Sequence, residues 1–157
     1  MLLSQSSAQL DDLLAKRAVR MLYQPIVALP TGRTVGFEAL ARGPVGSDLE
    51  RPDHLFAAAR EHGRLAELDW LCRSSAFADA LALSPRAPTA LFVNGEPEVL
   101  DSPVPSEERP LVRRARDQLQ IVHEITERGL ATRPAEMLRA SEELRSEGWG
   151  IAVDDVG

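Results

Sequence analysis

The stretch LQIVHEITERGLATRPAEMLRASEELRSEGWGIAVDD, residues 119–155, decides the fold class. Its two apolar runs, 119–126 and 150–154, are typical of strands. Residues 132–147 lie between them with helical spacing, and Pro134 and Gly148 suit the beginning and the end of a helix. A strand, a helix and a second strand in this order predict two parallel strands of one sheet.

The remaining elements extend this sheet toward the start of the chain. ALFVN at 90–94 is a short apolar run without alternation, which indicates a strand covered on both faces. Helices are predicted over 107–118, over 65–83 and from Pro52 to Gly63, and a first helix is predicted behind Ser7. Strands at 21–29 and 34–41, joined by a turn at 30–32, predict an opening antiparallel hairpin.

Composition excludes several classes of protein. The 157 residues carry 18 basic and 24 acidic side chains, a formal charge of -6, which argues against a DNA- or RNA-binding protein. A single cysteine, Cys72, cannot form an internal disulfide or a multi-cysteine metal site, so we expect a cytoplasmic protein. No apolar stretch approaches the ~20 residues of a membrane span, so no membrane association is expected.

Oxygen-bearing side chains follow the predicted strands at the ends where parallel strands meet. The strand-end residues are Glu38, Asn94, Glu124 with Glu127 three residues on, Asp154 and Asp155. Because carboxylates crowded at one edge repel each other, a cation is needed to hold them together. Hard oxygen ligands without a His or Cys cluster favour Mg²⁺ or Mn²⁺ over Zn²⁺, and two such ions could clamp a phosphodiester.

Each of these residues also has an ordinary structural interpretation. A lone Glu38 in a strand is commonly salt-bridged, and Asn94 before a glycine is commonly a turn residue. The pair Asp154 and Asp155 before Val156 and Gly157 is also compatible with a turn or a helix cap. Taken singly, none of them establishes a site.

The order of four motifs along the chain carries more information. YQPIVALPTGRTVGFEALAR at 23–42 resembles the opening of the EAL domain family, bacterial phosphodiesterases that linearise cyclic di-GMP. FVN at 92–94, HEITERG at 123–129 and IAVDDVG at 151–157 resemble the next three motifs of that family, in the same order.

The resemblance implies a role for each matching residue. Glu38, Asn94, Glu124 and Asp154 would bind a first metal, and Asp155 would bind a second metal and the attacking water. Glu127 would stabilise the loop after the DDFG-type motif. Gln24, Leu40 and Arg42 would contact the dinucleotide, and the planar donors of Arg42 suit a phosphate. By the same resemblance, Glu38, Asp154 and Asp155 are the candidate catalytic residues.

The family fold resembles a (β/α)₈ barrel whose first strand is antiparallel, and such a barrel takes ~250 residues. We therefore expect an α/β, incomplete TIM-type barrel with about five of its strands. Residues 1–18 would lead into it, and residues 19–157 would be the N-terminal part of an EAL domain truncated after its DDFG-like motif. Val156 stands where the family usually has phenylalanine.

Three functions fit these expectations. The first is a cyclic di-GMP phosphodiesterase producing linear pGpG, with this chain alone inactive because the family's later lysine and glutamate are absent from it. The second is a receptor that binds cyclic di-GMP without cleaving it. The third is an interaction module that pairs its open sheet edge with a partner protein or with a second copy as a homodimer.

Overall fold

The computed structural model describes residues 2–83 and 89–154. Its strands are β1 (Arg20–Ala28), β2 (Arg33–Arg42), β3 (Ala90–Asn94), β4 (Gln120–Thr126) and β5 (Gly150–Asp154). Its helices are α1 (Leu2–Lys16), α2 (Pro52–Glu61), α3 (Leu65–Leu83), α4 (Arg109–Gln118), α5 (Glu127–Thr132) and α6 (Pro134–Ser146). Among the described residues, no helix has both the length and the apolar content to cross a bilayer.

The strands form one five-stranded sheet in the order of the sequence. β1 pairs antiparallel with β2, and β2 to β5 pair in parallel. The hairpin turn is closed by the amides of Thr31 and Gly32, which both donate to the Ala28 carbonyl, and Gly32 adopts a positive φ of 64°. The predicted hairpin and the parallel order of the later strands are both confirmed.

Two helical predictions need correction. α1 begins at Leu2 rather than behind Ser7, and Ser6 lies inside the helix, where its hydroxyl contacts Nε2 of His62 at 3.2 Å. The short helix α5 was not predicted: the Thr126 hydroxyl accepts the Gly129 amide at 3.1 Å and caps a new helix directly after β4.

The two faces of the sheet differ in chemistry because successive side chains of a strand point to opposite sides. One set packs against the helices and forms apolar clusters that include Leu91, Val93, Ile121 and Ile125. The alternate positions carry the side chains of Glu38, Asn94, Glu124 and Asp154. Burial of the first set thus fixes the register that presents the second set on the opposite face.

The imidazole ring of His123 lies in the apolar core between the sheet and the helices. His123 is 1% exposed, and its ring centroid is 4.7 Å from that of Trp149. Burial, with a smaller contribution from the Arg73 charge, lowers the pKa of His123 to about 3, so the ring is neutral at pH 7. Within residues 2–83 and 89–154, neither of its nitrogens has a hydrogen-bond partner.

We predict that His123→Leu stabilises the protein. The substitution removes two buried polar atoms without partners, so the free energy of unfolding at pH 7 should rise by about 1 kcal/mol. Urea denaturation monitored by tryptophan fluorescence measures this change. His54→Leu is the control, because His54 is exposed and its substitution should bring no gain. Equal or lower stability of His123→Leu would contradict the prediction.

Candidate metal centre

Three carboxylates from three different strands converge at one end of the sheet. Glu38 of β2, Glu124 of β4 and Asp154 of β5 each offer an oxygen that lies within 4.8 Å of the other two. Glu124 is 8% exposed, and the other two are half-buried. The three side chains are therefore close enough to bind one common cation.

The strand register explains why these residues meet. Asn94 lies opposite Glu124, and Thr126 lies opposite Asp154, so β3, β4 and β5 bring their carboxyl ends to the same edge of the sheet. We call this edge the carboxyl-terminal rim. In open parallel sheets, ligands bind at this rim because loops and strand-end side chains converge there.

The side chain of Asn94 lies beside the three carboxylates and could supply a fourth oxygen ligand. Its Nδ2 donates to Oε1 of Glu38 at 3.2 Å, so its side chain already lies among the carboxylates. A half-turn of the amide exchanges Nδ2 with Oδ1 and directs an oxygen toward the same point. Three carboxylates and one amide oxygen match the ligand preference of Mg²⁺ and Mn²⁺.

Electrostatics also favours a cation at this position. Three negative charges within a few ångströms repel one another, and the partial burial of Glu124 weakens the screening by water. A divalent ion would compensate most of this charge. The residues present therefore fit a divalent metal, both in the type of donor and in spacing.

The candidate ligand-binding residues lie beside this group. Leu40 and Arg42 line a cleft of about 430 Å³ together with Asn94 and Phe56, between the carboxyl-terminal ends of β2 and β3 and the helices α2 and α3. We call it the β2–β3 cleft. Gln24 is exposed on β1, directly opposite Glu38. Arg42 donates from Nη1 to the Ala41 carbonyl at 2.7 Å.

Two further residues, Glu127 and Asp155, were also predicted to belong to the site. Glu127 is exposed at the first position of α5, one residue beyond β4, and its role in stabilising a loop stays a prediction. Asp155 lies outside the described residues.

Sequence reasoning missed a charged network along the same cleft. Arg60, Asp69, Arg73 and Glu96 all line the β2–β3 cleft. The spacing of Asp69 and Arg73, four residues apart within the apolar helix α3, was the available signal, because a charged pair at that spacing faces one direction.

Comparisons with known proteins agree with the motifs. A model of the EAL domain family matches residues 7–157. The probable cyclic di-GMP phosphodiesterase PdeB of Escherichia coli K12 is 34% identical over 154 residues, which cover 95% of this chain and 30% of PdeB. Cyclic di-GMP phosphodiesterase RocR of Pseudomonas aeruginosa is 32% identical over 139 residues, covering 86% of this chain and 36% of RocR. The chain thus spans about a third of these curated relatives.

Solved structures of EAL domain proteins also align with this chain. The phosphodiesterase PaMucR in complex with c-di-GMP aligns with a TM-score of 0.77 at 25% identity, covering 98% of this chain and 64% of that one. A Klebsiella pneumoniae BlrP1 complex with manganese and cyclic di-GMP aligns with a TM-score of 0.72 at 28% identity, covering 89% of this chain and 35% of that one. These alignments confirm the predicted α/β fold class, an incomplete barrel with an antiparallel first strand. Because the family model matches almost from end to end, this chain belongs to the EAL domain family.

Proposed function

We propose that this chain is the N-terminal part of an EAL domain that hydrolyses cyclic di-GMP to linear pGpG with Mg²⁺ or Mn²⁺. The observation that carries the proposal is the cluster of Glu38, Glu124 and Asp154 beside a cleft lined by Arg42. Relatives named as cyclic di-GMP phosphodiesterases and a manganese complex of a family member support it.

In this proposal the strand-end side chains hold the metals. Glu38, Asn94, Glu124 and Asp154 would hold the first ion, and Asp155 would hold the second ion and orient the attacking water. Bound divalent ions would offset phosphate charge and lower the pKa of a coordinated water. The carboxylates of this chain would hold these ions and the coordinated water next to the scissile phosphodiester.

The residues of the β2–β3 cleft orient the dinucleotide. Arg42 offers a planar set of N–H donors to a phosphate, and Leu40 contributes an apolar wall beside it. Gln24, opposite Glu38, provides an amide at the β1 side of the same group. Glu127 stabilises the loop that follows β5.

We expect the 157 residues alone to bind cyclic di-GMP with little turnover. The chain covers 64% of the PaMucR chain that it resembles. The later lysine and glutamate that the family resemblance implies are not among its 157 residues. Binding and chemistry can therefore be measured separately.

Replacing one metal-binding carboxylate should have opposite effects on the metal-free and metal-bound protein. Glu38→Gln removes one of three repelling charges, so the metal-free variant should melt at a higher temperature than the unmodified chain. Saturating Mn²⁺ should raise the melting temperature of the unmodified chain by roughly 5–10 °C and that of the variant by much less. Scanning calorimetry with Mn²⁺ and with a chelator measures both effects.

Glu142→Gln is the matched control for this experiment. Glu142 is exposed on α6, so its substitution should leave the shift caused by Mn²⁺ unchanged. The same Mn²⁺ shift in Glu38→Gln and in the unmodified chain would rule out Glu38 as a metal ligand.

Cyclic di-GMP should bind to the chain in a metal-dependent manner. Calorimetric titration with and without Mg²⁺ measures the affinity, and chromatography of the same samples detects pGpG. Arg42→Ala should weaken binding by about 10- to 100-fold, because a charge-assisted hydrogen bond contributes about 1.5–3 kcal/mol.

Arg33→Ala controls for the loss of a positive charge. Arg33 lies exposed at the opposite end of the same strand, β2, so its loss should leave the affinity unchanged. No binding by the unmodified chain at any Mg²⁺ concentration would contradict the proposed ligand. Binding that persists without product in a longer EAL segment would instead indicate a receptor.

A further inference from the structure

We propose that Asp69 is a positioning residue that holds the backbone after Asn94 and thereby fixes Asn94 at the metal centre. The inference rests on the proposed function, because it concerns a ligand of the same metal. Asp69 lies in α3, on the helix layer, and its side chain is 2% exposed. It is separate from the carboxylates of the metal centre and touches the loop that follows β3.

The contact that carries the inference joins helix α3 to the loop that follows β3. The backbone amide of Glu96 donates to Oδ1 of Asp69 at 3.0 Å. Glu96 is two residues beyond Asn94, the last residue of β3. The amide between them, that of Gly95, donates to the Glu124 carbonyl at 3.4 Å. Both amides after Asn94 are therefore held, one by the neighbouring strand and the other by Asp69.

The charge of Asp69 is compensated inside the helix layer. Arg73, also 2% exposed, forms an ion pair with Asp69 and lies over the ring of Trp70 at 4.0 Å from its centroid. Burial raises the pKa of Asp69, and the Arg73 charge opposes that rise. Apolar residues of similar size would pack at this position with less desolvation. What the carboxylate adds is a fixed acceptor for the Glu96 amide.

Other contacts hold the same loop from the surface. The guanidinium of Arg60 pairs with the side chains of Glu96 and Glu98. Nη1 of Arg133 donates to the Pro97 carbonyl at 3.2 Å. Arg60 and Arg133 are both partly exposed, so water weakens their contacts. The Asp69 carboxylate is buried and accepts from the main chain itself, whereas Arg60 pairs with the Glu96 side chain, so Asp69 constrains the backbone after Asn94 more directly.

The position of Asn94 depends on that constraint. Residues that orient metal ligands typically change metal affinity by 10- to 100-fold when they are replaced. Loss of the Asp69 acceptor frees the Glu96 amide and lets the end of β3 move relative to Glu38 and Glu124. The expected result is a weaker metal centre in a protein that is still folded.

Two double variants of the full 157-residue chain test this inference. Asp69→Leu with Arg73→Met replaces the buried pair by apolar side chains, which favours folding because no buried charge is left unpaired. Asp69→Asn with Arg73→Met differs at one side chain only and keeps an Oδ1 acceptor. Mn²⁺ affinity is measured by electron paramagnetic resonance, well below the melting temperature of each variant. The Leu variant should bind Mn²⁺ at least 10-fold more weakly, and the Asn variant within about threefold of the unmodified chain.

A second measurement uses the metal-free protein. Amide hydrogen exchange at Glu96 should accelerate in the Leu variant and stay slow in the Asn variant, and the side-chain amide signals of Asn94 should shift only in the Leu variant. Leu81→Ala, a core substitution elsewhere on α3, controls for lost stability and should change neither Mn²⁺ affinity nor these signals.

The outcomes separate this inference from the proposed function. Equal Mn²⁺ affinity and equal Glu96 exchange in the two double variants would overturn the role of Asp69. If the unmodified chain binds no Mn²⁺, the proposed metal centre fails. The exchange and Asn94 signals then decide the inference alone: a difference between the variants supports it, and identical behaviour overturns it.

Discussion

The parallel register of β2 to β5 is the constraint on which the rest of the structure depends. It places the strand ends side by side, so that residues far apart in the chain, Glu38, Glu124 and Asp154, share a space of a few ångströms. The register is specified on the other face of the sheet, where apolar residues such as Leu91 and Ile121 are buried against helices. A shift of one residue would bury the carboxylates and expose the core. Core packing therefore determines the geometry of the candidate metal centre.

The helix layer contributes more than apolar packing. It contains a buried ion pair, Asp69 and Arg73, and a buried neutral imidazole, His123. Within the described part of the chain, the pair reaches through the layer to the loop after β3, and the imidazole has no hydrogen-bond partner. The ion pair thus contacts the loop beside the candidate site, whereas the His123 imidazole is predicted to lower the stability of the fold. The buried ion pair and the buried imidazole therefore have different effects, although both lie in the helix layer.

Most of the fold could be predicted from the sequence because its strands are short apolar runs separated by helical patterns. The position of Asn94 as the last residue of β3 followed from the same pattern, whereas Glu124 lies two residues before the end of β4. Other features depend on contacts between distant residues. The Ser6 hydroxyl contacts His62, 56 residues away, and the link from Asp69 to the Glu96 amide joins residues 27 positions apart. Periodicity describes one element at a time, so it cannot predict such contacts.

The antiparallel direction of β1 has a consequence for how the chain enters the domain. Because β1 runs opposite to β2, its first residue, Arg20, lies beside Arg42 at the carboxyl-terminal rim. Helix α1 therefore ends on the side of the sheet that carries the candidate site, and Arg17, just after it, pairs with Glu108 at the start of α4 at 2.6 Å. The last turn of α1 and the candidate site therefore lie at the same end of the sheet, so a change in the position of α1 would reach the β1–β2 hairpin at the end that carries Arg42.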